Sequence, residues 1–113
     1  MRIALIGYGK MGKAIEEIAL QRGHEIVLTI DISNAADLTA ANLSKADVAI
    51  EFTGPESAFG NVMKCMEAGI PLVVGSTGWL QHLQDAESAC KKSGAALLVA
   101  SNFSVGVNIF FEI

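Results

Sequence analysis

Five short aliphatic runs recur along the chain, and their spacing limits the possible folds more than any other feature. They are RIALIG (2–7), EIVLTI (25–30), DVAIEF (47–52), PLVVG (71–75) and AALLVA (95–100). Each is rich in Ile, Val and Leu and too short for a helix. They are nearly continuous in apolar character rather than alternating, as in parallel strands covered on both faces. A composition of 51% apolar and 18% charged residues agrees with that much buried strand.

Helical patterns separate the runs. Met11, Ala14, Ile15, Ile18 and Ala19 fall on one helix face at i, i+3, i+4, i+7 and i+8. Ala58, Phe59, Val62, Met63 and Met66 form a second face, and Leu80, Leu83, Ala86 and Cys90 a third. Pro55 stands where a first helical turn tolerates a missing N–H. Gly23, Gly69 and Gly94 follow the three helices, as left-handed caps do. Residues 33–46 are polar and alanine-rich and read as a loop with a short helix. Strand–helix–strand repeated at this spacing gives right-handed βαβ units. The expected fold is α/β, a doubly wound parallel sheet of Rossmann-like type in one domain over 1–113, with a binding edge at the carboxyl ends of the strands.

Composition narrows the function classes. A net charge of −4 without a basic run argues against a nucleic-acid surface. No apolar run approaches the roughly 20 residues that span a bilayer. The opening IALIGYG is short and broken by glycines, so it does not read as a signal peptide. Cys65 and Cys90 match no metal spacing and read as packing thiols in a reducing cytoplasm.

GYGKMG places Gly7, Gly9 and Gly12 in the pattern G-x-G-x-x-G. The pattern gains meaning because it leaves a strand and opens a helix. Gly7 allows the tight turn, Gly9 a close approach by a pyrophosphate, and Gly12 close packing of helix on sheet. The phosphates would meet unpaired N–H groups at the helix start, which involves Tyr8, Lys10 and Met11 as well. Asp31 ends the second run about 20 positions later, where a carboxylate accepts hydrogen bonds from ribose hydroxyls. A turn former or helix cap is the competing explanation of Asp31. Its carboxylate would repel a 2′-phosphate, and Ile32 supplies no cation, so NADH should be accepted at least as well as NADPH.

Three further polar turns fall on the same sheet edge. Thr53 follows the third strand; Gly75, Ser76 and Thr77 follow the fourth; Ser101, Asn102, Phe103 and Ser104 follow the fifth. In a dinucleotide fold these turns approach the nicotinamide half. Helix capping by Ser76 or Thr77, and an Asx-turn at Asn102, explain the same residues without a ligand. His24 and His82 lack catalytic surroundings, and no metal set, paired carboxylates or nucleophile–base arrangement is present.

IGYGKMGKAI, EFTGPES, GSTGW and SNFSVGVNIF, in this order, resemble the N-terminal cofactor domain of the dihydrodipicolinate (4-hydroxy-tetrahydrodipicolinate) reductases of lysine and diaminopimelate biosynthesis. The resemblance implies that Gly7 to Gly12 hold the pyrophosphate and that Asp31 makes the ribose contact. Gly75, Ser76 and Thr77 would be the family's GTT loop with a serine in place of its first threonine. Ser101 to Ser104 would be its ANFS segment with a serine in place of alanine. It also implies an NAD(P)H-dependent cytoplasmic enzyme, homotetrameric through a second domain that carries the catalytic histidine, the lysine and the substrate loop. None of these occurs in the chain, which is expected to bind cofactor weakly and to reduce nothing by itself. The alternatives are the cofactor domain of another two-domain dehydrogenase, or a non-catalytic NAD(H)-sensing module working through partners.

Overall fold

A computed structural model describes residues 1–7, 10–53, 55–75 and 79–99. β1 (Arg2–Ile6), β2 (Glu25–Ile30), β3 (Val48–Glu51), β4 (Leu72–Val74) and β5 (Leu97–Val99) form one sheet in the order β2-β1-β3-β4-β5. Every pairing is parallel. The apolar runs therefore predict the strands, with ends trimmed by one or two residues except at β2, where the bounds coincide. Central strands β1, β3 and β4 are buried almost throughout, whereas edge strands β2 and β5 are half-covered.

Three helices connect strands directly: α1 (Lys10–Gln21), α3 (Pro55–Glu67) and α4 (Leu83–Ser93). A 3₁₀ segment (Ile32–Asp37) and the four-residue α2 (Ala40–Leu43) occupy the loop expected to hold a short helix. Strand side chains alternate between two cores. Ile3, Leu5, Val48 and Ile50 pack on Ile15 and Ala19 of α1. Ala4, Ile6, Ala49, Leu72 and Val74 face the other way, toward Leu43 of α2, Ala58, Val62, Cys65 and Met66 of α3, and Ala86 of α4. Leftward and rightward crossovers thus use opposite faces, as right-handed connections require.

Two helix faces differ from expectation. On α1, Ile15 and Ala19 are buried together with Gly12, but Ala14 is exposed and Ile18 is 39% exposed. Gly12 has no side chain, so α1 settles at that point and its contact stripe turns toward 12, 15 and 19. Leu80 is 51% exposed because it lies in a 3₁₀ turn (Leu80–His82) before α4, and the buried place is taken by Trp79 at 1%. Gly23, Gly69 and Gly94 all have positive φ, as their positions after the helices predict. No helix among the described residues is long and apolar enough to cross a membrane.

Candidate functional site

The strand registers align the carboxyl ends of the sheet. Ile6 pairs with Ile30 and with Glu51, Glu51 with Val74, and Val74 with Val99, so one row crosses all five strands. Backbone bonds extend the ladder one step past that row: Gly7 N–H to the Ile30 carbonyl at 2.6 Å, Phe52 N–H to Ile6 at 3.0 Å, and Gly75 N–H to Glu51 at 2.7 Å. Asp31, Gly7, Thr53 and Gly75 consequently stand in spatial order along one edge. Neighbouring strands lie about 4.8 Å apart, so the distance from Asp31 to Gly75 is about 14 Å, a length suited to an extended ligand. The chain leaves β1 toward β2 and returns to the other side at β3. The edge between β1 and β3 is therefore a topological switch point, where open α/β sheets bind ligands.

Gly7 and Gly12 are held there by Phe52. Gly7 has φ +108°, and a Cβ at that position would lie 3.2 Å from the Phe52 ring. A Cβ on Gly12 would sit 2.6 Å from the Gly7 carbonyl oxygen and 3.0 Å from the Phe52 ring. The turn and the start of α1 therefore approach as closely as two backbones without side chains allow. Tyr8 and Gly9 lie outside the described residues, and of Lys10 and Met11 only the backbone, the first residues of α1, is described.

Asp31 is exposed at the end of β2 and caps the 3₁₀ segment that follows. Its Oδ1 accepts from Ser33 N–H at 2.8 Å and from the Ser33 hydroxyl at 2.5 Å, while Asn34 Oδ1 accepts from Asp31 N–H at 2.7 Å. This reciprocal capping box realises the competing explanation of Asp31. It does not remove the residue from the edge, since both bonds converge on one oxygen. The Ser33 hydroxyl first, and then the Ser33 and Asn34 backbone bonds, hold the Asp31 carboxyl below its ordinary range. It is an anion at neutral pH.

Thr53 sits between the β1 and β4 turns and belongs to a cluster that sequence reasoning missed. Glu51, the last residue of β3, is completely buried. Its Oε1 accepts from Thr53 N–H at 3.0 Å and its Oε2 from the Thr53 hydroxyl at 2.9 Å. Asn61 of α3 donates from Nδ2 to Thr53 Oγ1 at 3.2 Å and to Glu51 Oε2 at 3.4 Å. A carboxylate within an aliphatic strand was the available signal, since a buried charge requires donors. Asn61, on a helix with no other cue, had none.

Gly75 closes β4 as expected; Ser76 and Thr77, and Ser101, Asn102, Phe103 and Ser104, lie outside the described residues. His24 precedes β2 at the amino edge, with Nδ1 3.1 Å from the Met1 amine. His82 stacks on Phe59, ring centroids 4.5 Å apart. Among the described residues no group of acidic, histidine or cysteine side chains could hold a metal ion.

Known proteins resemble the chain in both sequence and fold. The profile of the family described as "Dihydrodipicolinate reductase, N-terminus" matches residues 1–103. A 4-hydroxy-tetrahydrodipicolinate reductase from Christiangramia forsetii is 47% identical over 100% of this chain and 46% of its own length. One from Methanococcoides burtonii is 36% identical over 91% of this chain and 38% of its own. The chain thus spans less than half the length of these relatives. Among solved structures, a dipicolinate-bound dihydrodipicolinate reductase from Paenisporosarcina sp. TG-14 superposes with a TM-score of 0.77 at 24% identity, covering 93% of this chain and 48% of that one. A hyperthermophilic archaeal homoserine dehydrogenase mutant in complex with NADPH reaches 0.65 at 14% identity, covering 86% and 43%. Likeness at such identity is one of fold, so it lends no weight to a different dehydrogenase. The profile match over 1–103 and the whole-chain identity of 47% establish that this chain belongs to the dihydrodipicolinate reductase family, as its N-terminal part.

Proposed function

We propose that the chain binds a nicotinamide dinucleotide across the carboxyl edge of its sheet and, within a longer protein, presents it for reduction of a dihydrodipicolinate-type cyclic imine dicarboxylate to tetrahydrodipicolinate. The observation that carries this reading is the spatial order Asp31, Gly7, Thr53, Gly75 along one sheet edge, just past the register row. A dinucleotide has the same order of parts. The adenosine ribose would meet Asp31, the pyrophosphate the backbone from Gly7 to Gly12 with Tyr8, Gly9, Lys10 and Met11, and the nicotinamide half Thr53, Gly75, Ser76 and Thr77. Ser101, Asn102, Phe103 and Ser104 would complete the nicotinamide side. The residues present fit such a group, because Gly7 and Gly12, without side chains, bring the end of β1 and the first turn of α1 into close approach.

The bound dinucleotide supplies a hydride; the chain contributes binding and orientation. Asp31, held anionic by Ser33, accepts from ribose hydroxyls and repels a 2′-phosphate, so NADH is accepted at least as well as NADPH. Substrate binding and proton donation fall to the remainder of the longer, homotetrameric, cytoplasmic protein. Titration with NADH and NADPH, read through Trp79 fluorescence, tests the cofactor site. Saturable quenching that is lost in Gly9→Asp is expected, and a folded protein without a saturable response to either nucleotide would overturn the proposal.

A further inference from the structure

In the register row that ends the sheet, four of the five residues are aliphatic: Ile30, Ile6, Val74 and Val99. The fifth is Glu51, completely buried. A valine would serve the sheet equally well, and burying a carboxylate is costly unless donors surround it. The donors here come from the turn that leads out of β3 and from α3. Both Glu51 oxygens accept, from Thr53 N–H at 3.0 Å and from the Thr53 hydroxyl at 2.9 Å.

The arrangement fixes the direction of each bond. A carboxylate only accepts, so the group that Asn61 turns toward Glu51 Oε2 is its amide nitrogen. That nitrogen also donates to Thr53 Oγ1 at 3.2 Å. The Thr53 hydroxyl therefore accepts from Asn61 and gives its hydrogen to Glu51. It meets anything at the sheet edge as an acceptor.

We infer that Glu51 is a positioning residue for the dinucleotide: by taking the Thr53 hydrogen and backbone N–H it locks the turn after β3 and sets Thr53 to receive a donor of the ligand, a ribose hydroxyl or the carboxamide amine, rather than a phosphate oxygen. This rests on the cofactor reading above and adds a residue and a polarity to it. In Glu51→Gln, the amide nitrogen turned to Thr53 Oγ1 would donate where the carboxylate accepted, freeing the hydroxyl hydrogen to point outward. Turned the other way, it would oppose the Thr53 N–H.

The polarity can be reversed as a whole. In Glu51→Gln with Asn61→Asp, the amide introduced at position 51 donates to Thr53 Oγ1, and the hydroxyl gives its hydrogen to the carboxylate introduced at position 61. Charge is conserved, and Thr53 again meets the edge as an acceptor.

The test is calorimetric titration of NADH into the full-length protein, the single variant and the double variant, with Tm recorded for each. The wild type is titrated first; absence of binding there defeats the cofactor reading and this inference together. With the wild type binding, Glu51→Gln is expected to weaken NADH about tenfold, the loss typical of one misdirected hydrogen bond. The double variant is expected to return to within about threefold of wild type. Unchanged affinity in a folded Glu51→Gln would overturn the inference while leaving the cofactor site standing. So would a double variant that recovers its Tm but not its affinity, since the restored polarity at Thr53 should bring the affinity back. Should Glu51→Gln not fold, the double variant alone decides by the same affinity criterion.

Discussion

Gly12→Ala makes the closest approach in the site measurable. A Cβ there would lie 2.6 Å from the Gly7 carbonyl oxygen, where ordinary contact begins at 3.4 Å, and the Phe52 ring at 3.0 Å closes off another direction. The backbone of the turn, or the whole of α1, must give by about 0.8 Å, and overpacking of this kind costs about 1–3 kcal/mol. Alanine in a helix also gains up to about 1 kcal/mol over glycine, which blurs a single measurement. The protein supplies its own control in Gly60, inside α3, where an added Cβ meets nothing within 4 Å. Gly60→Ala keeps the propensity gain without the clash, so the difference between the two variants isolates the steric cost. With a urea m-value of about 1–3 kcal/mol/M, the two midpoints should separate by about 1 M, Gly12→Ala below wild type and Gly60→Ala at or above it. NADH affinity should fall in the first and hold in the second. Equal midpoints for the two variants would refute the close-packing argument.

Asp31 and Cys65 give two further predictions. Asp31 has a lowered folded carboxyl pKa, so its contribution to stability is fully present above the unfolded value near 3.8 and is lost as pH falls through the lower folded one. The Tm deficit of Asp31→Ala should accordingly hold steady from pH 7 to 5 and vanish in stronger acid, and its NADPH-to-NADH affinity ratio should rise several-fold; a deficit independent of pH would speak against the Ser33 bonds as its source. Burial, and after it the charge of Glu51, push the Cys65 thiol up to about 12. At pH 8 a disulfide reagent should reach half-buried Cys90 in the native protein and Cys65 only on unfolding, whereas simultaneous reaction of both thiols would contradict that burial.

The sheet is legible because aliphatic runs between helical patterns leave little choice of fold, and the glycine turn because only glycine serves such a turn. Less legible is anything set by contacts between distant segments. Hydropathy puts the stripe of α1 at Met11, Ala14, Ile15, Ile18 and Ala19, yet Gly12, which counts for nothing on a hydropathy scale, decides where the helix rests. By sequence, Glu51 and Phe52 are the end of an apolar run. Their roles, one gripping Thr53 and the other backing Gly7, depend on the pairing of β3 beside β1, which no local pattern encodes. Asp31 is legible as a cap, and the ribose contact proposed for it is compatible with that role because one carboxylate has two oxygens.

The place of β1 bears on how the chain reaches this structure. β1 is synthesised before β2 and β3, yet it lies between them, and its pairing of Ile3 with Val48 closes a loop of about 45 residues. On the ribosome it can find β2 early, but its second edge stays open until β3 has emerged. Such long-range parallel pairing is slow compared with local helix formation. The strand that carries the glycine turn is thus made before either of its neighbours and enclosed only after the second, and until then an aliphatic edge is available to other chains.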